Sequence, residues 1–343
     1  MKKLGNVLYV TTPEAYLSLE GETVVVKKEE GKALKLPLHN LEAIVCFNYP
    51  GISPALMGAC AARGIGLTFL RPSGRFLARV VGPVKGNLLL RKKQYQVAAD
   101  EAARLPIAVS CVLAKIANSR VVIERALRDH AMLVDTQALL EASTFLKATL
   151  PAVRDADSLE TLRGLEGSAA KQYFRVFGKL VLKQKEDFPF KERNRRPPRD
   201  NLNALLSFLY SLLTYEVASA LEGVGLDPQV GFLHADRPGR PSLALDLMEE
   251  LRPMLADRLA LTLINRRQIK GSGFTRKESG GVLMDDDTRK KVITAWQERK
   301  REPIMHPFLK ERIPIGLIPH VQAQLLARHL RGDLDAYPPF FWS

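Results

Sequence analysis

Cysteine is scarce in this chain. Only Cys46, Cys60 and Cys111 are present, an odd number with no CxxC pair. A disulfide framework and a zinc ribbon are therefore not expected, and a reducing cytosol suits the chain. No GxxxxGK(S/T) run occurs, so nothing argues for a phosphate-binding loop of the NTPase kind. There is no internal repeat and no long low-complexity tract. The opening Met1 to Asn6 is charged but lacks the apolar core of a secretory leader. One stretch, Leu202 to Leu221, is nearly apolar. Asn203, Ser207, Ser211 and Glu216 interrupt it, and a buried core helix is expected there, not a membrane span.

What is present in excess is positive charge. Lys and Arg total 51 against 37 Asp and Glu, a net +14. That imbalance points to a polyanion, most often nucleic acid; the bland alternative is a basic enzyme with a solvated surface. The 343 residues, 46% of them apolar, are long for one core and suggest two domains.

The first eighty residues read as β structure. Tyr16–Glu20 and Thr23–Val26 flank a turn at Gly21, a second hairpin turns at Glu30-Gly31, and a third runs from Phe69 to Arg79 around Pro72-Ser73-Gly74. One helix interrupts them, with Ser53 as its cap, Pro54 first and Gly64 as its stop. Gly82-Pro83 and Gly86-Asn87 punctuate a boundary in the region 83–105, and helical periodicity dominates from about Pro106. The expected division is a β-rich part over 1–95 and a helical part over 96–343. A small hairpin is expected within Gly271–Gly281, and Asp285-Asp286-Asp287 reads as a helix cap.

Three segments could carry chemistry. In the first, Asp157-Ser158-Leu159-Glu160 reads as a capping box. At about 100° per residue, Glu166 falls inside the stripe of Leu162, Leu165, Ala169, Tyr173 and Phe177. A carboxylate there must be paired, protonated or metal-bound. Gly164 and Gly167 flank it and weaken the helix by about 1 kcal/mol each, which suggests a close approach by another backbone or a ligand. In the second, His234 stands in a loop rich in glycine and proline that also carries Arg237 and Arg240. In the third, a helix capped by Ser242 places Asp246, Glu249 and Glu250 on one face, where like charges repel unless a cation gathers them. Pro253 cannot donate to the Glu249 carbonyl, and a kink is expected there. A solvated acidic turn is the competing reading of that face. Oxygen ligands with one imidazole suit Mg²⁺ or Mn²⁺ better than zinc. Lys191, Arg193, Arg195, Arg196 and Arg199 form a run of five cations in nine residues that would bind phosphate. Carboxylates that hold a metal amid such arginines imply phosphodiester chemistry.

At these residues the chain resembles the first CRISPR-associated protein family, the adaptation integrase. LGNVLYV, PLHNLEAIVCF, SLETLRGLEGSAAKQYF, RRPPRDNLNALLSFLY, VGFLHADRPGRPSLALDLMEELRP and LLARHLRGDLDAYPPFFW carry the likeness, and the wording is similar to subtype I-C versions. The resemblance implies an α+β fold with a small N-terminal β domain before an all-helical catalytic domain. It implies a metal site of Glu166, His234 and Glu249; since one metal with Glu166 and His234 needs only one acid of that helix directly, Asp246 is expected to support the site from behind or through water. Glu250 is expected on the helix surface beside an arginine. It also implies double-stranded DNA as substrate, a homodimer, and the second CRISPR-associated protein as a dimeric partner. The fourth, an iron–sulfur nuclease-like protein, is the further partner expected in subtype I-C. A stand-alone structure-specific nuclease and a non-catalytic DNA-binding scaffold remain the alternatives. The apolar tail Ala336 to Trp342 is expected to dock on a neighbouring chain, since Pro338-Pro339 cannot continue a helix.

Overall fold

The computed structural model describes residues 6–12, 14–28, 33–47, 51–82 and 88–342. The turn expected at Glu30-Gly31 and the punctuation at Pro83 and Gly86-Asn87 lie outside them.

The N-terminal part contains strands β1 (Asn6–Val10), β2 (Tyr16–Glu20), β3 (Thr23–Lys27), β4 (Leu34–Pro37), β5 (Leu41–Phe47) and β6 (Gly51–Ile52), helix α1 (Pro54–Arg63), and strands β7 (Gly66–Leu70) and β8 (Phe76–Val80). They form two four-stranded sheets, ordered β1-β5-β7-β8 and β4-β3-β2-β6. The first is parallel across β1, β5 and β7, with β8 antiparallel at its edge. The second folds back through the β2–β3 hairpin, in which Glu20 pairs with Thr23 across the Gly21 turn. Helix α1 starts and stops as its sequence dictates. Ser53 Oγ accepts from Leu56 N, Pro54 opens the first turn, and Gly64 leaves it at φ +69°.

The two faces of the first sheet serve different cores. Val10, Ile44, Cys46 and Leu67 pack toward α1 and the second sheet. Phe47 and Leu70 pack into the helical part, where the Phe47 ring lies 5.7 Å from that of Phe208. All three cysteines are buried and unpaired.

Helices follow: α2 (Leu88–Ala99), α3 (Glu101–His130), α4 (Thr136–Arg154), α5 (Leu159–Phe177), α6 (Asn201–Val224), α7 (Ser242–Arg252) and α8 (Arg258–Asn265). Helical structure thus begins before Pro106, which sits inside α3, five residues past its start. Asp100 caps that start, accepting from Ala102 and Ala103 N. The change from strand to helix comes between Val80 and Leu88, so the expected 95/96 division falls within α2. Two small ladders interrupt the helices. β9 (Phe274–Arg276) and β10 (Val282–Met284) form the expected hairpin, with Gly280 at φ +77°. After α9 (Asp286–Arg301) come β11 (Pro303–Met305) and β12 (Arg312–Pro314), then α10 (Ile318–Arg331). Asp285 caps α9 through Thr288 N at 2.7 Å, which is the capping role read from the triple aspartate.

α6 and α3 are each long and apolar enough to span a bilayer, yet their apolar residues fill this core. For α6 that is the buried helix expected of Leu202–Leu221. The tail corrects an expectation. Tyr337, Phe340 and Trp342 are buried against their own chain rather than offered to another.

Candidate metal and nucleic-acid site

α5 begins one residue later than its sequence suggested. Ser158, not Asp157, is the cap, and its Oγ accepts from Thr161 N at 3.3 Å. Leu162, Ala169, Tyr173 and Phe177 are buried, and Glu166 stands at the margin of that stripe with a quarter of its side chain exposed. The glycines beside it do not mark a protein contact, since a Cβ at Gly164 or Gly167 would meet nothing within 4 Å. A packed backbone is therefore excluded there, and both glycines face open space.

Glu166 is paired, and to a residue that the sequence reading overlooked. Lys115 reaches out from α3 with a side chain 7% exposed. Its ammonium contacts Glu166 Oε1 and lies 2.7 Å from Glu249 Oε2. Arg252 Nη1 holds the other Glu249 oxygen at 3.1 Å. Burial by itself would raise the Glu249 pKa, but Arg252 and Lys115, with a smaller pull from His234, bring it down to about 2. The clue to Lys115 was available: with Arg120 it is one of only two charged residues in the run VSCVLAKIANSRVVI.

α7 delivers Glu249 through a defect in its own hydrogen bonding. Pro253 cannot donate, and the helix widens into a π segment over Pro253–Asp257, closed by Arg258 N donating to Pro253 O. Ser242 is the first residue of α7 rather than its cap. Its hydroxyl donates to Ala235 O at 3.1 Å, because the preceding Pro241 occupies the cap position without a side-chain acceptor.

Asp246 is almost wholly buried and organises the His234 loop. Its carboxylate accepts from the backbone N of Phe232 (2.6 Å), Leu233 (3.0 Å) and His234 (3.0 Å), and His234 Nδ1 lies 2.6 Å from Oδ1. A Cβ at Gly231 would stand 2.7 Å from Asp246 Oδ2, so the loop can approach only with glycine there. Arg163 fixes the other side by donating twice to Leu233 O. An imidazole whose Nδ1 proton goes to Asp246 presents its lone pair at Nε2. Among the described residues Nε2 has no hydrogen-bond partner.

Two carboxylates and an imidazole make an oxygen-rich donor set that suits Mg²⁺ or Mn²⁺. Glu249 Oε2 adds to the fit: it is buried and, despite the nearby Lys115 Nζ, receives no hydrogen bond of good geometry. The three residues are not gathered into a closed cluster, however. Among the described residues no three His, Cys, Asp or Glu side chains group closely enough to hold an ion unaided, and Lys115 stands between the two glutamates.

Glu250 corrects another expectation. It is fully buried, and among the described residues it pairs with no arginine. It accepts from Tyr337 Oη, Phe340 N and Gln322 Nε2 (3.1 Å), tying α7 to the tail. Burial raises its pKa to about 7 against the pull of those donors.

The cation run over 191–199 divides. Arg193 turns inward, bonding Asn203 Oδ1 (2.7 Å) and Ser207 Oγ (3.0 Å) over the Tyr210 ring, so it is not free for phosphate. Lys191, Arg195, Arg196 and Arg199 are exposed, as is Arg237 in the His234 loop. Burial, followed by the charges of Arg237, Arg196 and Arg195, lowers the Arg240 pKa while Asp246 opposes them. The two arginine loops therefore share one basic rim beside His234.

Comparison with known proteins places these features in context. The family described as CRISPR associated protein Cas1 matches residues 8–298. A CRISPR-associated endonuclease Cas1 of Rhodospirillum rubrum is 54% identical over 350 residues, covering all of both chains. A second, from Chlorobaculum tepidum, is 50% identical over 342 residues, again covering all of both. The solved structure of a casposase bound to integration product superposes with a TM-score of 0.82 at 23% identity, covering 97% of this chain and 93% of that one, and so shares the fold.

Proposed function

The chain belongs to the family of CRISPR associated protein Cas1, and from that premise we propose that it is a divalent-cation-dependent DNA endonuclease and integrase that inserts short duplexes into the repeat array. What carries the reading is one convergence. Glu166 and Glu249, far apart in sequence, meet on a single cation, and His234, oriented by Asp246, is near enough to help hold Glu249 ionised. The two relatives described above are both named CRISPR-associated endonucleases, which supports the nuclease part of the reading.

Glu166, Glu249 and His234 Nε2 would hold Mg²⁺ or Mn²⁺. Such an ion lowers the pKa of an attacking hydroxyl and offsets charge building on the phosphoryl oxygens. Asp246 keeps the imidazole oriented and its Nδ1 protonated, so that Nε2 stays a donor of electrons. Arg195, Arg196, Arg237 and Arg240 hold the backbone phosphates along the rim. In integration a 3′-hydroxyl of the short duplex attacks a phosphodiester of the array. The new O–P bond forms as the old one breaks, and the departing 3′-oxygen takes up a proton. With water as the nucleophile, the same arrangement cleaves DNA.

The reading extends to partners through family membership: a homodimer, joined by the second CRISPR-associated protein, with the fourth trimming the duplex ends. It assigns catalysis to the helical part and action to the cytosol, where buried, unpaired cysteines stay reduced. The test incubates purified chain with labelled duplex, supercoiled repeat plasmid and Mn²⁺. Strand transfer is expected from the wild type and not from His234→Ala. Equal transfer by His234→Ala would overturn the assignment.

A further inference from the structure

We infer that Lys115 is the protein's own counter-ion for this site, and that a divalent cation binds by exchange with it. The inference rests on reading Glu166 and Glu249 as metal ligands. Folding brings their carboxylates from α5 and α7 to a common point where water is largely excluded, and two bare anions there would repel strongly. Lys115 supplies the opposing charge from a third helix. Its ammonium occupies Glu166 Oε1 and lies 2.7 Å from Glu249 Oε2, which are oxygens a metal would need. One side chain and one ion cannot both have them.

Of the two cations on Glu249, Lys115 is the one able to move. Arg252 is pinned, with its guanidinium 3.1 Å from Glu249 Oε1 and 4.9 Å from the centre of the Tyr210 ring. Lys115 has a flexible four-carbon stem and a single polar head. Along its stem lies a small, mostly apolar pocket lined by Ile116, Ser119, Leu146, Tyr173, Phe174 and Arg252, which gives the stem room to shift as its head leaves the carboxylates. Exchange has two consequences. It lowers the apparent metal affinity by the stability of the internal pair. It also discriminates against monovalent ions, because replacing one unit charge by another gains nothing electrostatically.

The experiment measures Mn²⁺ binding by calorimetry, and melting in chelator and in Mn²⁺, on the full chain. Lys115→Gln should melt lower in chelator, rise more on adding Mn²⁺, and bind Mn²⁺ roughly tenfold tighter than wild type. Glu166→Gln serves as the control. Should Lys115→Gln bind no tighter while Glu166→Gln loses Mn²⁺, exchange is wrong and the metal reading stands. Should Glu166→Gln bind as well as wild type, the metal reading itself fails. If Lys115→Gln does not fold, acylation footprinting of the wild type decides: Mn²⁺ should increase modification of Lys115 several-fold, and unchanged protection overturns the exchange.

Discussion

Glu249 and Glu250 are adjacent in the chain and meet opposite surroundings. One faces Lys115 and Arg252 and is held ionised. The other faces Tyr337, Gln322 and the backbone of Phe340 and is pushed toward neutrality. Helical geometry puts Glu249 about 60° to one side of Asp246 and Glu250 about 40° to the other, and that is enough to send them to different neighbours. For Glu250 the pH dependence has a definite sign. Its folded pKa of about 7 lies above the unfolded carboxylate range, so the folded state binds the proton more tightly. Its contribution to stability is then present at low pH and lost as pH rises through that window. The melting temperature of wild type minus that of Glu250→Gln should fall between about pH 4.5 and 7 and level off above it. A flat difference across that range would contradict the account. Asp246 bonds His234 Nδ1, and under the proposed role of His234, Asp246→Asn should slow strand transfer roughly 10- to 100-fold while duplex affinity holds. The inward bias of Glu166 was legible from helical periodicity alone. The role of Glu250 was not, because its partners lie 72 to 90 residues further along the chain.

At the scale of elements, the segment between α5 and α6 mixes two functions that its composition hides. Asp200 caps α6 through Asn203 N at 2.7 Å, and Asn194 Oδ1 accepts from Arg199 N at 2.7 Å. That framework fixes the loop while Arg195 and Arg196 project. Replacing Arg195 and Arg196 together with Ala should weaken binding to all duplex sequences alike. It should also flatten the salt dependence by about one unit per lost phosphate contact. Arg193→Ala should instead cost about 2 kcal/mol of stability, because Asn203 and Ser207 lose a charged donor in a buried setting. Denaturant titration read alongside filter binding separates the two effects. Reversed outcomes would mean the loop presents the other arginine. Charge counting saw five equivalent cations; only the fold distinguishes the one spent internally. Helix boundaries were readable where a side chain caps them, as at Ser53 and Asp285. They slipped by a residue at Asp157 and Ser242, where serine and proline competed for the position.

Across the whole molecule, the first sheet is shared between two cores, and the C-terminal tail closes the larger one. The order of strands before helices followed from periodicity, but that sharing could not, because it depends on Phe47 meeting Phe208 across the fold. The tail was expected to leave the chain on account of its prolines. It stays because Glu250 and Asn118 supply partners for its backbone: Asn118 Nδ2 donates to Phe340 O at 2.8 Å, and Asn118 Oδ1 accepts from Trp342 N at 2.8 Å. Deleting residues 336–343 should therefore collapse the melting transition, since a buried carboxylate and a large apolar surface lose their cover. A truncated chain that melts like the wild type would restore the intermolecular reading. The most direct test of the account is Glu249→Gln, assayed for Mn²⁺-dependent strand transfer and for duplex affinity in the same preparation. Transfer should vanish while affinity stays within about twofold, because on the proposed reading Glu249 would hold the cation and the arginine rim the phosphates. Full transfer by Glu249→Gln at saturating Mn²⁺ would contradict it.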